Sequence, residues 1–246
     1  MESAKRRVPG ALALVTATLL TASGCGGAGG TAVQGTARPS TGTTSASAGA
    51  QGGAYGANRL RGALLTRYHS ARPAAPASGS TVGALQDRLG LAGSLKTIKT
   101  KKRACLTAGP NLTSSKLREV PAAAVTLTDS RHGYTLGEVL FSTGTARMRQ
   151  MVARRVPASC RRLTARVNGS LMRVALREFR LPHLGHPAHG VAMTVAANHR
   201  VSHSLTVMFA AGRYGGTLSL TGGRVSRRFL NNATRSAIQT AHRALR

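Results

Sequence analysis

Apolar positions in this chain follow two periods, and the change from one to the other marks its organisation. Leu60, Leu64, Leu65 and Tyr68 fall at helical spacing, which predicts a short helix beginning near Asn58. Arg72-Pro73 through Gly79 breaks it. Val82, Leu85, Leu89 and Leu91 predict a second short helix or turn, stopped by Gly90 and Gly93. A basic stretch from Lys96 to Arg103 then leads to Cys105, and Gly109-Pro110-Asn111 reads as a loop.

Beyond it the period becomes two. Ala123 to Leu127 reads as a strand, with Asp129-Ser130-Arg131-His132-Gly133 as its turn. Tyr134 to Ser142 is the returning strand, with Leu136, Glu138 and Leu140 on one side and Val139 and Phe141 on the other. A helix follows, with Thr143 as its expected cap, an apolar stripe of Met148, Met151, Val152 and Val156, and Pro157 at its end. Leu163 to Val167 is extended, Asn168-Gly169 is a strong hairpin signal, and Leu171 to Phe179 alternates Met172, Val174 and Leu176 against Arg173 and Arg177. After a Pro- and His-rich loop, Leu181 to Gly190, three further runs alternate: Val191/Met193/Val195, Leu205/Val207/Phe209 and Leu218/Leu220. Asn198-His199-Arg200 and Gly212-Arg213 connect them. The segment Ser226 to Arg246 carries Phe229, Ala233, Ala237, Ala241 and Leu245 in four-residue steps, an amphipathic helix that closes the domain. The predicted class is α+β: an antiparallel sheet with helices packed on one face, a two-layer sandwich.

The N-terminal end has neither period. Lys5, Arg6 and Arg7 precede an uncharged apolar run, Val8 to Ala22, and then Ser23-Gly24-Cys25. A positive head, a short apolar middle and small residues at the end describe a secretory signal. Ala22-Ser23-Gly24-Cys25 has the form of a bacterial lipobox, which places a diacylglyceryl group on Cys25. The expected divisions are a lipoprotein signal at 1–24, a flexible tether at 25–57 and a folded domain at 58–246. The tether is mostly Gly, Ala, Ser and Thr, a composition that cannot offset the entropy of ordering. About thirty such residues reach roughly 30 Å. Apart from the signal, no apolar run has the ~18 residues that a membrane-crossing helix needs. The expected location is the extracellular face of a cell membrane, held by the lipid.

Charge narrows the partners. The chain has 35 Lys+Arg against 6 Asp+Glu, a formal charge of +29. Such a balance favours anionic partners, such as acidic lipid or cell-wall polymer, although Ala/Gly/Arg-rich, Lys-poor composition is also what GC-rich genomes encode. Nucleic acid is excluded as a partner by the export signal and by the lack of recognition motifs and stacking aromatics, which are only 3% of residues. With Cys25 acylated, Cys105 and Cys160 remain as an even pair. Outside the cytoplasm they read as a disulfide, with roughly 4 kcal/mol of stabilisation for a loop of that length. The bridge would draw Lys96, Lys99, Lys101, Lys102 and Arg103 toward Arg154, Arg155, Arg161 and Arg162, which makes one cationic patch for an anionic partner. His183, His186 and His189 recur at steps of three and are candidate Zn²⁺ or Cu²⁺ ligands. Pro182, Gly185 and Pro187 deny them a common helical face, so they read as loop histidines and no cofactor is expected. No nucleophile elbow, paired-carboxylate motif or zinc-peptidase signature is present, and the non-signal acids are only Asp87, Glu119, Asp129, Glu138 and Glu178. An enzyme is not expected.

The order of segments resembles a known family. A lipobox signal and a low-complexity tether precede a short helix and Cys105. A strand and a helix lead to Cys160, followed by Leu181-Pro182-His183-Leu184-Gly185-His186, the strand pair 191–195 and 201–209, Thr217-Leu218-Ser219-Leu220-Thr221-Gly222-Gly223 and an Ala-rich terminal helix. Over residues 58–246 this is similar to the PknH-like extracellular sensor domain of actinobacterial surface lipoproteins and of a receptor serine/threonine kinase. The family usually has Leu-Gly-Asp where this chain has Leu184-Gly185-His186. The resemblance implies a two-layer domain with a cleft, ligand binding and no catalysis. Three roles remain open: a sensor of an unidentified small ligand, a structural protein bound to wall polymer, and a carrier of lipid or glycolipid with a cavity lined by Met, Leu and Val.

Overall fold

The computed structural model describes residues 55–88, 97–106, 115–182, 184–223 and 225–246. The signal, Cys25, nearly all of the tether, Leu89, Leu91, Lys96, the loop at 109–111 and His183 lie outside the described residues. Tyr55, Gly56 and Ala57, assigned above to the tether, belong to the fold. The Tyr55 N–H donates to Ser142 Oγ at 2.9 Å, and its ring meets Tyr214 edge-on.

Four helices are described: α1 (Ala57–Gly62), α2 (Val82–Arg88), α3 (Thr145–Ala153) and α4 (Arg227–Leu245). The strands are β1 (Arg72–Pro73), β2 (Ser78–Thr81), β3 (Ile98–Lys99), β4 (Pro121–Asp129), β5 (Tyr134–Ser142), β6 (Arg162–Val167), β7 (Ser170–Phe179), β8 (Ala188–Ala197), β9 (Arg200–Ala211) and β10 (Tyr214–Gly222). They form one sheet in the order β1-β4-β5-β10-β9-β8-β7-β6-β3, with β2 also on β4, and every pairing is antiparallel. The class is α+β.

Turn chemistry sets the register. Asn168 and Gly169 both take positive φ, 48° and 82°, as a two-residue hairpin loop requires. Asn198 and His199 do the same at 47° and 60°, which carries β8 into β9 without a glycine.

Because side chains alternate across a strand, continuous register divides the sheet into two faces. The front carries Val125, Leu136, Leu140, Leu218, Val207 and Phe209, and the back carries Ala124, Val139, Phe141, Met208 and Ala210. The helices cover both faces, rather than the single face expected. Helices α1 and α4 join the front cluster, whereas α2 and α3, through Val82, Leu85, Met148, Met151 and Val152, join the back one. The physical reason lies in β5, which is buried at nearly every position and so needs apolar cover on either side. Close packing of α3 uses Gly215: a Cβ there would lie 2.5 Å from Met148 Sδ and 2.5 Å from the Phe209 carbonyl oxygen.

Helix α4 lies close because its inner stripe is small. Ala233, Ala237 and Ala241 are fully buried beside Leu230 and Ile238. Ser226 caps it by accepting from the Phe229 N–H. At its far end Arg59 of α1 donates to the carbonyls of Leu245 and Arg246, which ties the two front helices together. Helix α3 departs from expectation at both ends. Gly144, not Thr143, is its cap, and no side chain accepts there. It stops at Ala153, where Arg154 turns extended, so Val156 leaves the helical stripe and enters a third cluster. That cluster covers the back of β6, β7 and β8 with Ile98, Cys105, Val156 and Cys160.

Candidate functional site

Strand β6 alternates strictly between exposed and buried residues, unlike β5. Its buried residues, Leu163, Ala165 and Val167, face the third cluster on the back. Arg162, Thr164 and Arg166 face front. Register carries that face across the sheet: Thr164 opposes Arg173, Arg162 opposes Ala175, Ala175 opposes Thr194, and Arg173 opposes Ala196. On the other side Lys99 opposes Arg166. The front cluster that α4 joins reaches no farther along β7 and β8 than Phe179, Ala188 and Ala192, and α4 itself packs on β9 and β10. Among the described residues no helix covers the front of β6, β7 and the distal half of β8.

The result is a concave groove of about 900 Å³. Its floor is Thr164, Ala175, Thr194 and Ala196. Lys99, Lys101, Lys102, Arg162, Arg166 and Arg173 supply its charge. Among the described residues no carboxylate lines it. Lys102 is held by carbonyls: its Nζ donates to Ser159 O at 2.6 Å and Arg162 O at 3.3 Å. None of these six cations makes an ion pair among the described residues. Four of these like charges stand on one sheet face and Lys101 and Lys102 on the segment after β3. They repel each other, by about 1 kcal/mol for a pair 4 Å apart in water and less beyond a Debye length of ~8 Å. A polyanion relieves that repulsion.

The expected patch is therefore partly redrawn. Lys99, Lys101, Lys102 and Arg162 come together in the groove, but Arg103, Arg154, Arg155 and Arg161 do not line it. The Cys105–Cys160 disulfide, with its Cα atoms 5.2 Å apart, is buried on the back, so its neighbours divide between the faces. Arg161 turns toward Glu178, 4.0 Å away. Arg155 binds the His189 ring. Arg166 and Arg173 stand outside the expected patch; the alternation of Arg173 and Arg177 against Met172, Val174 and Leu176 signals Arg173, and Arg166 is brought in by register.

The histidines separate. His186 is exposed, and β8 begins at Ala188, earlier than the expected loop end at Gly190, which buries His189. Arg155 donates to His189 Nδ1. Since a guanidinium offers no acceptor, Nδ1 must accept, and the ring proton belongs on Nε2, 3.1 Å from Glu178 Oε1. Burial first, and Arg155 second, lower the pKa of His189 and keep it neutral, against the pull of Glu178. Glu178 Oε1 also accepts from the Val156 N–H at 2.7 Å. Among the described residues no group of three His, Cys, Asp or Glu side chains is placed to hold a metal.

One cluster superficially suits hydrolysis. Ser70, Asp129 and His132 meet at the β4–β5 turn, but the carboxylate is in the middle: Ser70 Oγ donates to Asp129, and His132 Nδ1 lies 2.8 Å from the same oxygen. Among the described residues the hydroxyl's partner is that carboxylate and not the imidazole, and a carboxylate so held is a weak base, so the serine is not activated. The Ser70 hydrogen bond, chiefly, and those from His132 hold Asp129 below the usual carboxylate range.

No protein-family model matches the sequence, and no curated protein matches it significantly. Among solved structures, the extracellular domain of PknH from Mycobacterium tuberculosis is similar at 10% identity with a TM-score of 0.52, covering 78% of this chain and 98% of that one. An Rv0999 ortholog from Mycobacterium smegmatis is similar at 12% identity with a TM-score of 0.44, covering 76% and 96%. The fold is that of a PknH-like extracellular domain.

Proposed function

We propose that this is an extracellular lipoprotein, acylated on Cys25, whose domain binds an anionic ligand without chemically altering it. The observation that carries the reading is the front of β6–β8 with the segment after β3: a concave face with six cations that, among the described residues, make no ion pair and meet no lining acid. Support for export comes from the signal-like N-terminus, from the buried disulfide and from the likeness in fold to a domain that is extracellular in PknH. Among the described residues no helix is long and apolar enough to cross a membrane; the attachment proposed is the lipid on Cys25. A lipid carrier is disfavoured, because the Met, Leu and Val faces that would line its cavity are packed into the three clusters.

Two measurements test this. Metabolic labelling with a fatty acid should mark the wild-type chain and not Cys25→Ala, and protease added to intact cells should digest the domain. For the ligand, the mature chain with Cys25→Ser is titrated with polyanions. Loss of binding on replacing Arg162, Arg166 and Arg173 by Gln, and not on the same charge change elsewhere, supports the reading. Equal loss from both sets refutes it, because the basic face would then be ordinary surface charge.

A further inference from the structure

The groove's shape and the spacing of its cations narrow the class of ligand, given that the preceding reading of this face holds. Arg162 and Arg166 stand four residues apart on β6, roughly 13 Å along the strand. Lys99 opposes Arg166 from the edge strand on one side. Arg173 opposes Thr164, midway between the two arginines, on the other. No small anion spans such a layout. A single phosphate would meet one or two of these groups and leave the others unpaired. Four cations spread over the face of adjacent strands match a chain that carries an anionic group on each successive unit.

Two observations decide against a bilayer. The charge is set around a concavity that holds the half-buried Ala175, Thr194 and Ala196, a shape that fits a strand better than a plane. Leu171 and Val201, 46% and 59% exposed, are the large apolar residues that the described surface leaves uncovered. They stand on β7 and β9 with β8 between them, and two separate side chains supply little area for insertion. The lining also holds no aromatic ring, so base or sugar stacking has no platform. Recognition falls to the guanidinium forks, which suit phosphate and carboxylate oxygens.

We propose that the front of β6–β7 binds a linear polyanion of the cell-wall polymer type, laid across the two strands so that Lys99, Arg162, Arg166 and Arg173 each meet a different anionic group. Close to the membrane, a tethered domain would so grip a wall strand through several weak contacts that reinforce one another.

The test uses the mature chain with Cys25→Ser and four probes: orthophosphate, tripolyphosphate, long-chain polyphosphate, and vesicles of phosphatidylglycerol in phosphatidylcholine. Affinity should rise steeply from orthophosphate to the long chain, and the vesicles should not displace it. Four contacts predict that binding of the long chain weakens about 50-fold between 50 and 200 mM salt, taking the coefficient of a single-stranded nucleic-acid backbone. Replacing Arg162, Arg166 and Arg173 together by Gln should cut that to roughly threefold. Replacing Arg131, Arg149 and Arg154, which lie off this face, should leave it near 50-fold. Binding that depends on the three groove arginines yet is equally tight for tripolyphosphate and the long chain overturns the polymer and leaves the anionic-ligand reading standing. Vesicles that displace the long chain assign the face to the bilayer and likewise overturn the polymer. Equal losses from both triple variants overturn the polymer and the site together.

Discussion

Glu138 gives the sharpest quantitative test of the packing. It sits on β5, 1% exposed, on the front face beneath the chain that follows α1. The Leu65 N–H donates to its Oε2 at 2.8 Å, and its Oε1 has no partner among the described residues. Burial pushes the carboxyl up to about 8, and the Leu65 N–H opposes this only in part. The folded protein therefore holds a proton that the unfolded chain releases near pH 4.5. Between pH 4.5 and 8 the native state binds more protons than the unfolded state, so stability falls as pH rises, by about 1.4 kcal/mol per unit for one proton. Across the window this is a loss of about 5 kcal/mol, complete by pH 8 and absent below 4.5. Glu138→Gln keeps an acceptor for Leu65 and cannot ionise. It buries an amide whose cost, about 1–3 kcal/mol, is the same at every pH. Guanidinium unfolding of both proteins at pH 5, 6, 7 and 8 should show their difference swinging in favour of the variant by several kcal/mol. A constant difference over that range would refute an acid buried in its neutral form, and with it the seating of α1 on the front face.

Three other outcomes follow from the same packing. Gly215→Ala should cost about 1–3 kcal/mol in thermal or chemical unfolding, since the new methyl meets both Met148 and the Phe209 carbonyl and α3 must shift. Removing the disulfide with Cys105→Ser/Cys160→Ser should cost about 4 kcal/mol, read as a lower guanidinium midpoint, whereas reductant should not affect the variant. His189 has a folded pKa below its ordinary 6.5, so protonation favours the unfolded chain, and stability should decline as pH falls below 6.5; His189→Gln should lack that component of the acid limb in urea titrations.

Much of the topology was written in local patterns. The period-two runs from Ala123 to Leu220, the Asn168-Gly169 turn and the Ser226-capped helix depend on neighbours within a few residues, so sequence alone determined antiparallel strands joined by tight turns and closed by a helix, whereas the pairing of β10 with β5 is long-range. The pairing of Cys105 and Cys160 was expected from their number and from a start that reads as an export signal. Tertiary structure decided what lies over each face. Whether Phe141 and Val139 meet water or a helix depends on where α3 lands, and that rests on Gly215, more than sixty residues away in the chain. The site is a consequence of the same global placement. Arg166 and Arg173 are surface residues of ordinary strands until the front cluster, to which α4 belongs, ends at Phe179 and Ala192 and leaves the rest of the front of β6 and β7 uncovered, and register gathers their charges with those of Lys99 and Arg162. Alternation is local and can be read along a strand. Coverage belongs to the assembled layers, because it depends on the length and docking of elements far apart in sequence.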